Sequence, residues 1–168
     1  KFAVTMTVAI SPGPLLREEA LRLDRLGLWG VLEGQVQEFT DHASIQCSLS
    51  MDIAPGLQSP PSDMSAAVYG IFTELLRNVA HHAQATEVEI RVSAHASDVT
   101  VVVKDNGRGA PLSLFDGRDA HGVRGMREQA SQFGGWLHID SQMNQGTMAI
   151  LTMPMYQRRQ AFSTSTAQ

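Results

Sequence analysis

The chain has 168 residues, 43% of them hydrophobic and 18% charged, which is enough for one domain with a real core and too little for two full ones. Its formal charge of −4 at pH 7 leaves no basic excess for neutralising phosphates. That excludes a general nucleic-acid binder but not a local pocket for a single nucleotide.

One cysteine, Cys47, excludes an internal disulfide framework and a zinc site built on cysteine alone. No stretch is apolar over the length of a membrane span. Residues 2–10 (FAVTMTVAI) are β-prone but too short to span, and Ser11-Pro12-Gly13-Pro14 then breaks the chain. Residues 15–23 have helical composition. Leu28, Val31, Leu32, Val36 and Phe39 continue an apolar pattern of helical period, predicting a helix over 28–41. Residues 45–53 alternate Ile45, Cys47, Leu49, Met51 and Ile53 on one face, the period of a half-buried strand.

A proline-rich loop at 54–61 leads to good N-caps and a long helix running to about Ala83. Strands follow at Val88–Val92 and Val99–Val103, the second running straight into Asp105-Asn106-Gly107-Arg108-Gly109. Residues 110–121 lack periodicity and read as a mobile loop. Residues 122–133 read as a helix ended by Gly134-Gly135. Two last strands, 136–139 and 147–153, are joined by a turn at 142–146, and the Ser/Thr/Gln-rich tail from 156 reads as disordered. The economical packing of these elements is an α+β two-layer sandwich, with a mixed, mainly antiparallel sheet and helices on one face. The domain proper is expected over 23–155, with 1–22 as a lead-in.

Three stretches have the residue types for a site. On the long helix, Glu74 and Asn78 stand one turn apart, with His81 and His82 on roughly the same side, beside an apolar stripe of Val68, Ile71, Phe72, Leu75, Leu76 and Val79. Solvent-facing residues on an amphipathic helix would look the same. An amide oxygen such as that of Asn78 nevertheless suits Mg²⁺, which takes few protein ligands. The histidines have no second pair at zinc spacing. In the second stretch, Asn106-Gly107 is a hairpin signal, but no returning strand follows. Gly107 and Gly109 would instead allow close backbone approach to a flat ligand, with Asp105 accepting a hydrogen bond from an exocyclic amine. The third, His121-Gly122-Val123-Arg124-Gly125-Met126-Arg127, opens a helix with glycines, where amides and dipole favour a phosphate. A plain helix start is the alternative.

Taken in this order, the three stretches resemble the ATP-binding domain shared by gyrase, heat-shock chaperones, histidine kinases and MutL. The likeness is to sensor histidine kinases of the nitrate/nitrite-sensor type, and it runs from about Leu23 to Pro154. There ELLRNVAHHA corresponds to the N box, DNGRG to the first glycine box and HGVRGMREQA to the second. The resemblance implies that Asn78 ligands Mg²⁺ bridging the ATP phosphates, with Glu74 supporting the metal. Asp105, helped by Thr147, would bind the adenine amine, and Gly107 and Gly109 would shape its pocket. His121, Gly122, Val123, Arg124, Gly125 and Met126 would line the phosphates beneath a lid formed by 110–121. His81 and His82 would lie nearby, His81 where the family usually has Lys or Arg, and Ala120 where it often has Gly.

The phosphoacceptor histidine of these kinases precedes an acidic residue, and none of the six histidines here does. The chain therefore reads as the catalytic portion of a longer kinase. It would phosphorylate a histidine on separate dimerisation helices, for relay to a response regulator. The expected setting is cytoplasmic, in a homodimeric parent open to inner-membrane anchoring. An ATPase or anti-sigma-type serine kinase of the same fold, or a nucleotide-sensing module, are the alternatives.

Overall fold

The computed structural model of the protein describes residues 15–116 and 120–155. The strand-like residues 2–10 and the tail from 156 lie outside them, as does part of the expected lid. The elements are α1 (Leu15–His42), β1 (Gln46–Ile53), α2 (Ser62–Asn78), a π-helical turn (Val79–Ala83), β2 (Glu87–Ala94), β3 (Asp98–Asp105), the short α3 (Ser113–Asp116), α4 (His121–Gln132), β4 (Trp136–Gln142) and β5 (Gly146–Pro154). The strands form one sheet in the order β1-β2-β3-β5-β4. β1 pairs parallel to β2, and every other pairing is antiparallel.

The two-layer expectation holds, and alternation explains it. On β2 and β3, Val88, Ile90, Val92, Ala94, Val99, Val101 and Val103 are buried, while their neighbours Glu87, Arg91 and Lys104 are exposed. Leu137, Ile139, Ala149, Leu151 and Met153 continue that buried face across β4 and β5. Against it lie Met64, Val68, Ile71, Phe72 and Leu76 of α2, and Val123, Met126 and Ala130 of α4. Helices therefore cover one side of the sheet only. β1, at the edge, buries its inward residues only halfway.

The helix expected at 28–41 is present: Gly27, at φ 67, ψ 174, separates it from a first helical stretch that begins at Leu15, the two together being α1. That left-handed φ breaks the hydrogen-bond ladder, and Ser59 restores one partner by accepting the Leu28 N–H at 3.2 Å. Two other expectations need correction. The long helix does not stay α-helical to Ala83. After Asn78 it widens into the π turn, closed by Gln84 in the left-handed region at φ 54. Residues 110–121, expected as a plain loop, contain the one-turn α3.

Among the described residues no helix is long and apolar enough to cross a membrane.

Candidate nucleotide site

Asp105 is the last residue of β3, in step with Val99, Val101 and Val103, so period-two alternation turns its carboxylate toward the helices. It is only 5% exposed. Its cross-strand neighbours form a row: Val88 on one side, Thr147 on the other, then Ser141 beyond Thr147. The sheet thus passes from apolar to polar along one line at this end. Burial pushes the Asp105 carboxyl above its ordinary range, partly offset by the backbone N–H groups of Gly107 and Thr147. The Gly107 N–H donates to Asp105 Oδ1 at 2.8 Å. A carboxylate offers about four lone-pair positions. Two backbone bonds therefore leave capacity for an amine donor, and the donor set fits an adenine.

Ser141 belongs to this site although its sequence context does not single it out. Its hydroxyl accepts the Ala110 N–H at 2.9 Å and lies 2.9 Å from Thr147 Oγ1. Only the β4–β5 register brings it beside Thr147. Asn106 and Arg108 were likewise not expected to act. Asn106 Oδ1 accepts the N–H groups of Thr86 and Glu87, both at 3.0 Å, tying the segment to the start of β2. Arg108 closes the open end of the π turn: its backbone N–H donates to the Ala83 carbonyl and its Nε to the His82 carbonyl, each at 2.8 Å.

The two glycines of this segment also permit contacts that their sequence does not announce. A methyl at Gly107 would overlap the Ala83 carbonyl, and one at Gly109 the carbonyls of Gln142 and Gly146. This close approach is to the chain's own backbone. This welds the segment between the π turn and the β4–β5 turn, and so fixes Asp105.

On α2, Glu74 is bound to Arg77 by two hydrogen bonds, Nε to Oε2 at 2.9 Å and Nη2 to Oε1 at 2.8 Å. The paired carboxylate pushes Arg77 above its ordinary pKa. Asn78 is half-buried at the junction with the π turn. Among the described residues no cluster of three or more His, Cys, Asp or Glu side chains could hold a metal. An ion at Asn78 would have to complete its shell from phosphate oxygens and water, as Mg²⁺ readily does. His82 is exposed, and burial of its ring, then His81, Arg108 and Arg77, push its pKa down, with Glu74 opposing. His81 borders a groove of about 560 Å³ with Phe39, His42 and Gln84.

α4 follows Ala120, whose side chain makes no cap, and among the described residues no side chain caps the first amides of His121, Gly122 and Val123. Arg124 turns to His121 Nδ1 at 3.2 Å and to Glu128 at 3.7 Å. Met126 is buried in the core. Arg127 Nη1 donates to the Phe115 carbonyl at 3.2 Å and so fastens α3 to α4. Gly125 differs from Gly107 and Gly109, because a Cβ there would meet nothing within 4 Å. No neighbour among the described residues requires glycine at this helical position, and a helix-interior glycine costs about 1 kcal/mol relative to alanine. A cradle kept open beside uncapped amides fits a phosphate chain.

Gly125→Ala therefore separates folding from binding. Its Tm should rise by roughly 2–4 °C, the size of the propensity gain. Its affinity for ATP should fall by roughly fivefold or more, the cost of about 1–3 kcal/mol for an intruding methyl. Thermal unfolding and nucleotide titration of one variant check both.

Residues 64–157, more than half of the chain, match the family described as histidine kinase-, DNA gyrase B-, and HSP90-like ATPase. The histidine-protein kinase/phosphatase DegS of Brevibacillus brevis is 31% identical over 80% of this chain. The nitrate/nitrite sensor protein NarX of Escherichia coli K12 is 30% identical over 82%. The chain spans only 34% of the first and 23% of the second. In fold, it resembles the blue-light activated histidine kinase of Erythrobacter litoralis, with a TM-score of 0.62 at 20% identity, covering 87% of this chain and 51% of that one. A buried acid ending a central strand, an uncapped glycine-bearing helix start and a match across most of the core coincide in one segment, and the chain belongs to the histidine kinase-, DNA gyrase B- and HSP90-like ATPase family, as its ATP-binding domain.

Proposed function

We propose that this chain is the ATP-binding catalytic portion of a two-component sensor histidine kinase. The observation that carries the reading is the pairing of Asp105, a buried carboxylate with spare acceptor capacity, with the open cradle at Gly125. One recognises an amine on a flat base and the other a polyphosphate. Relatives such as DegS, NarX and the oxygen sensor histidine kinase NreB of Staphylococcus carnosus supply the reaction class.

On this reading Asp105 accepts from the adenine amine, with Thr147 and Ser141 holding the adjoining wall. The first amides of α4 and Gly125 receive the phosphates, and His82, Arg108 and Arg124 supply positive charge or donors around them. Asn78 would hold Mg²⁺, whose charge would offset that of the phosphate oxygens. Glu74 lies one turn away to order that shell. The chain contributes orientation and charge balance, the main needs of phosphoryl transfer. The acceptor is a histidine on dimerisation helices of the parent protein, and the phosphoryl group passes on to a response regulator. Residues 23–155 form the working domain, placed on the cytoplasmic side.

Phosphotransfer from γ-labelled ATP to a supplied acceptor-helix domain tests this reading. The chain should label the acceptor histidine in a Mg²⁺-dependent way, and Asn78→Asp should lower labelling by roughly a hundredfold, since one misplaced ligand costs that much in positioning. Release of free phosphate at ordinary ATPase rates without acceptor labelling would replace the kinase reading by an ATPase.

A further inference from the structure

Glu74 stands where a carboxylate can do two opposite things. Free, it can take a proton from water and so direct the γ-phosphoryl group to hydrolysis. Engaged by a guanidinium, it does so at a cost, because the incoming proton removes the charge that its partner stabilises. Here both its oxygens are engaged, by Arg77 Nε and Nη2 at 2.9 and 2.8 Å. Pairs three residues apart on an exposed helix usually contribute little. This one is bidentate, and the Glu74 side chain is only 17% exposed against 48% for Arg77. The pair also borders the site: its charges act on His82, whose carbonyl is held by Arg108 next to Gly107. Asn78 follows Arg77 directly in the chain.

We propose that Arg77 is a positioning residue that withholds Glu74 from water, so that the bound triphosphate is kept for an acceptor side chain instead of being hydrolysed. The suppressed step is attack by water oxygen on the γ-phosphorus, with the bond to the β,γ-bridging oxygen breaking, ADP leaving and the water proton passing to Glu74. With Arg77 in place, that proton transfer neutralises the carboxylate and so weakens both of its charge-assisted hydrogen bonds. The inference rests on the nucleotide reading above and adds to it what distinguishes a transferase from a hydrolase at this helix.

The test compares the chain with Arg77→Gln, Arg77→Lys and the double variant Arg77→Gln/Glu74→Gln. Three quantities are measured: phosphate released from ATP, affinity for a non-hydrolysable ATP analogue, and the Arg77 Nε–H signal by ¹⁵N NMR with the analogue bound. Arg77→Gln should release phosphate roughly tenfold faster, the weight of one charge-assisted hydrogen bond, with affinity changed less than about twofold. Arg77→Lys, a single-point donor, should fall between. The double variant should lose the gain. In the unmodified chain the Nε–H signal should stay protected from solvent exchange when the analogue binds, as a structural pair broken by the ligand would not. If the analogue binds to both and phosphate release from Arg77→Gln is unchanged or lower, Arg77 has no such role. A chain that binds no analogue at all removes the nucleotide reading itself, and this proposal with it.

Discussion

Asp105→Asn should lose nucleotide without losing the fold. The carboxylate is 5% exposed, and its own neighbours give it two backbone N–H groups, one at 2.8 Å from Gly107. An asparagine oxygen can keep one of these. It cannot accept from an adenine amine with the strength of a charged group, and its own NH₂ would face that amine. Losing a charge-assisted bond costs about 1.5–3 kcal/mol, so affinity for ATP should drop by roughly tenfold to a hundredfold. Stability moves the other way. Burial raises the folded-state pKa of Asp105 above the unfolded value, so the folded chain resists ionising it. The neutral carboxyl is best tolerated below the unfolded pKa, and stability is lost as pH rises through the folded value. The variant should therefore match wild type in acid and become the more stable protein toward neutral pH. Thermal melts across that range, beside nucleotide titrations, check both halves. A Tm that falls at neutral pH together with affinity would make Asp105 structural only.

Gly109→Ala should be among the most damaging single methyls at the described glycines, with Gly146, where the added carbon would meet the Asp105 carbonyl. The residue sits at φ 58, and the added carbon would lie inside 3.0 Å of the Gln142 and Gly146 carbonyls. Left-handed backbone costs a non-glycine residue about 1–2 kcal/mol. Overpacking adds about 1–3 kcal/mol, and here the obstacle is backbone, which cannot rotate aside. The sum is about 2–5 kcal/mol, lowering Tm by roughly 4–20 °C. Gly56→Ala is the control that isolates the second part. It shares a positive φ of 75, but a Cβ there meets nothing within 4 Å. Its loss should be confined to about 1–2 kcal/mol. Equal losses at the two positions would show that the packing of the segment against the β4–β5 turn contributes nothing.

How much of this was legible beforehand depended on the range of the interaction. Alternation along one strand is local, so the valines of β2 and β3 and the inward turn of Asp105 follow from spacing alone. The α+β layering follows from the order of such segments. Ser141 could not be found that way, because its partner Thr147 is set by strand register, not by distance along the chain. The contacts of Gly107 and Gly109 with Ala83, Gln142 and Gly146 are hidden for a related reason: a glycine announces close approach but not what approaches. The junction at Gly27, where one helical stretch gives way to the next, is completed by Ser59, which accepts the Leu28 N–H from 31 residues away. The pairing of Arg77 with Glu74 is hidden too, because composition does not reveal which acceptor a guanidinium takes.

The π turn at Val79–Ala83 has a consequence for how such helices are compared. A π turn takes up an additional residue per revolution, so it resets the phase of every side chain beyond it. Glu74, Asn78 and His82 are spaced by fours and would form one straight row on an unbroken α-helix. Here the row ends at Asn78. Val79 stays in the core, His81 comes round to the groove beside Phe39 and His42, and the His82 and Ala83 carbonyls are freed for Arg108. The widened turn therefore works as a coupling: it converts the rotation of α2 into the docking point for the Asp105 segment. Removing one residue from it would uncouple the Glu74–Asn78 edge of α2 from Asp105, even with both sets of side chains intact.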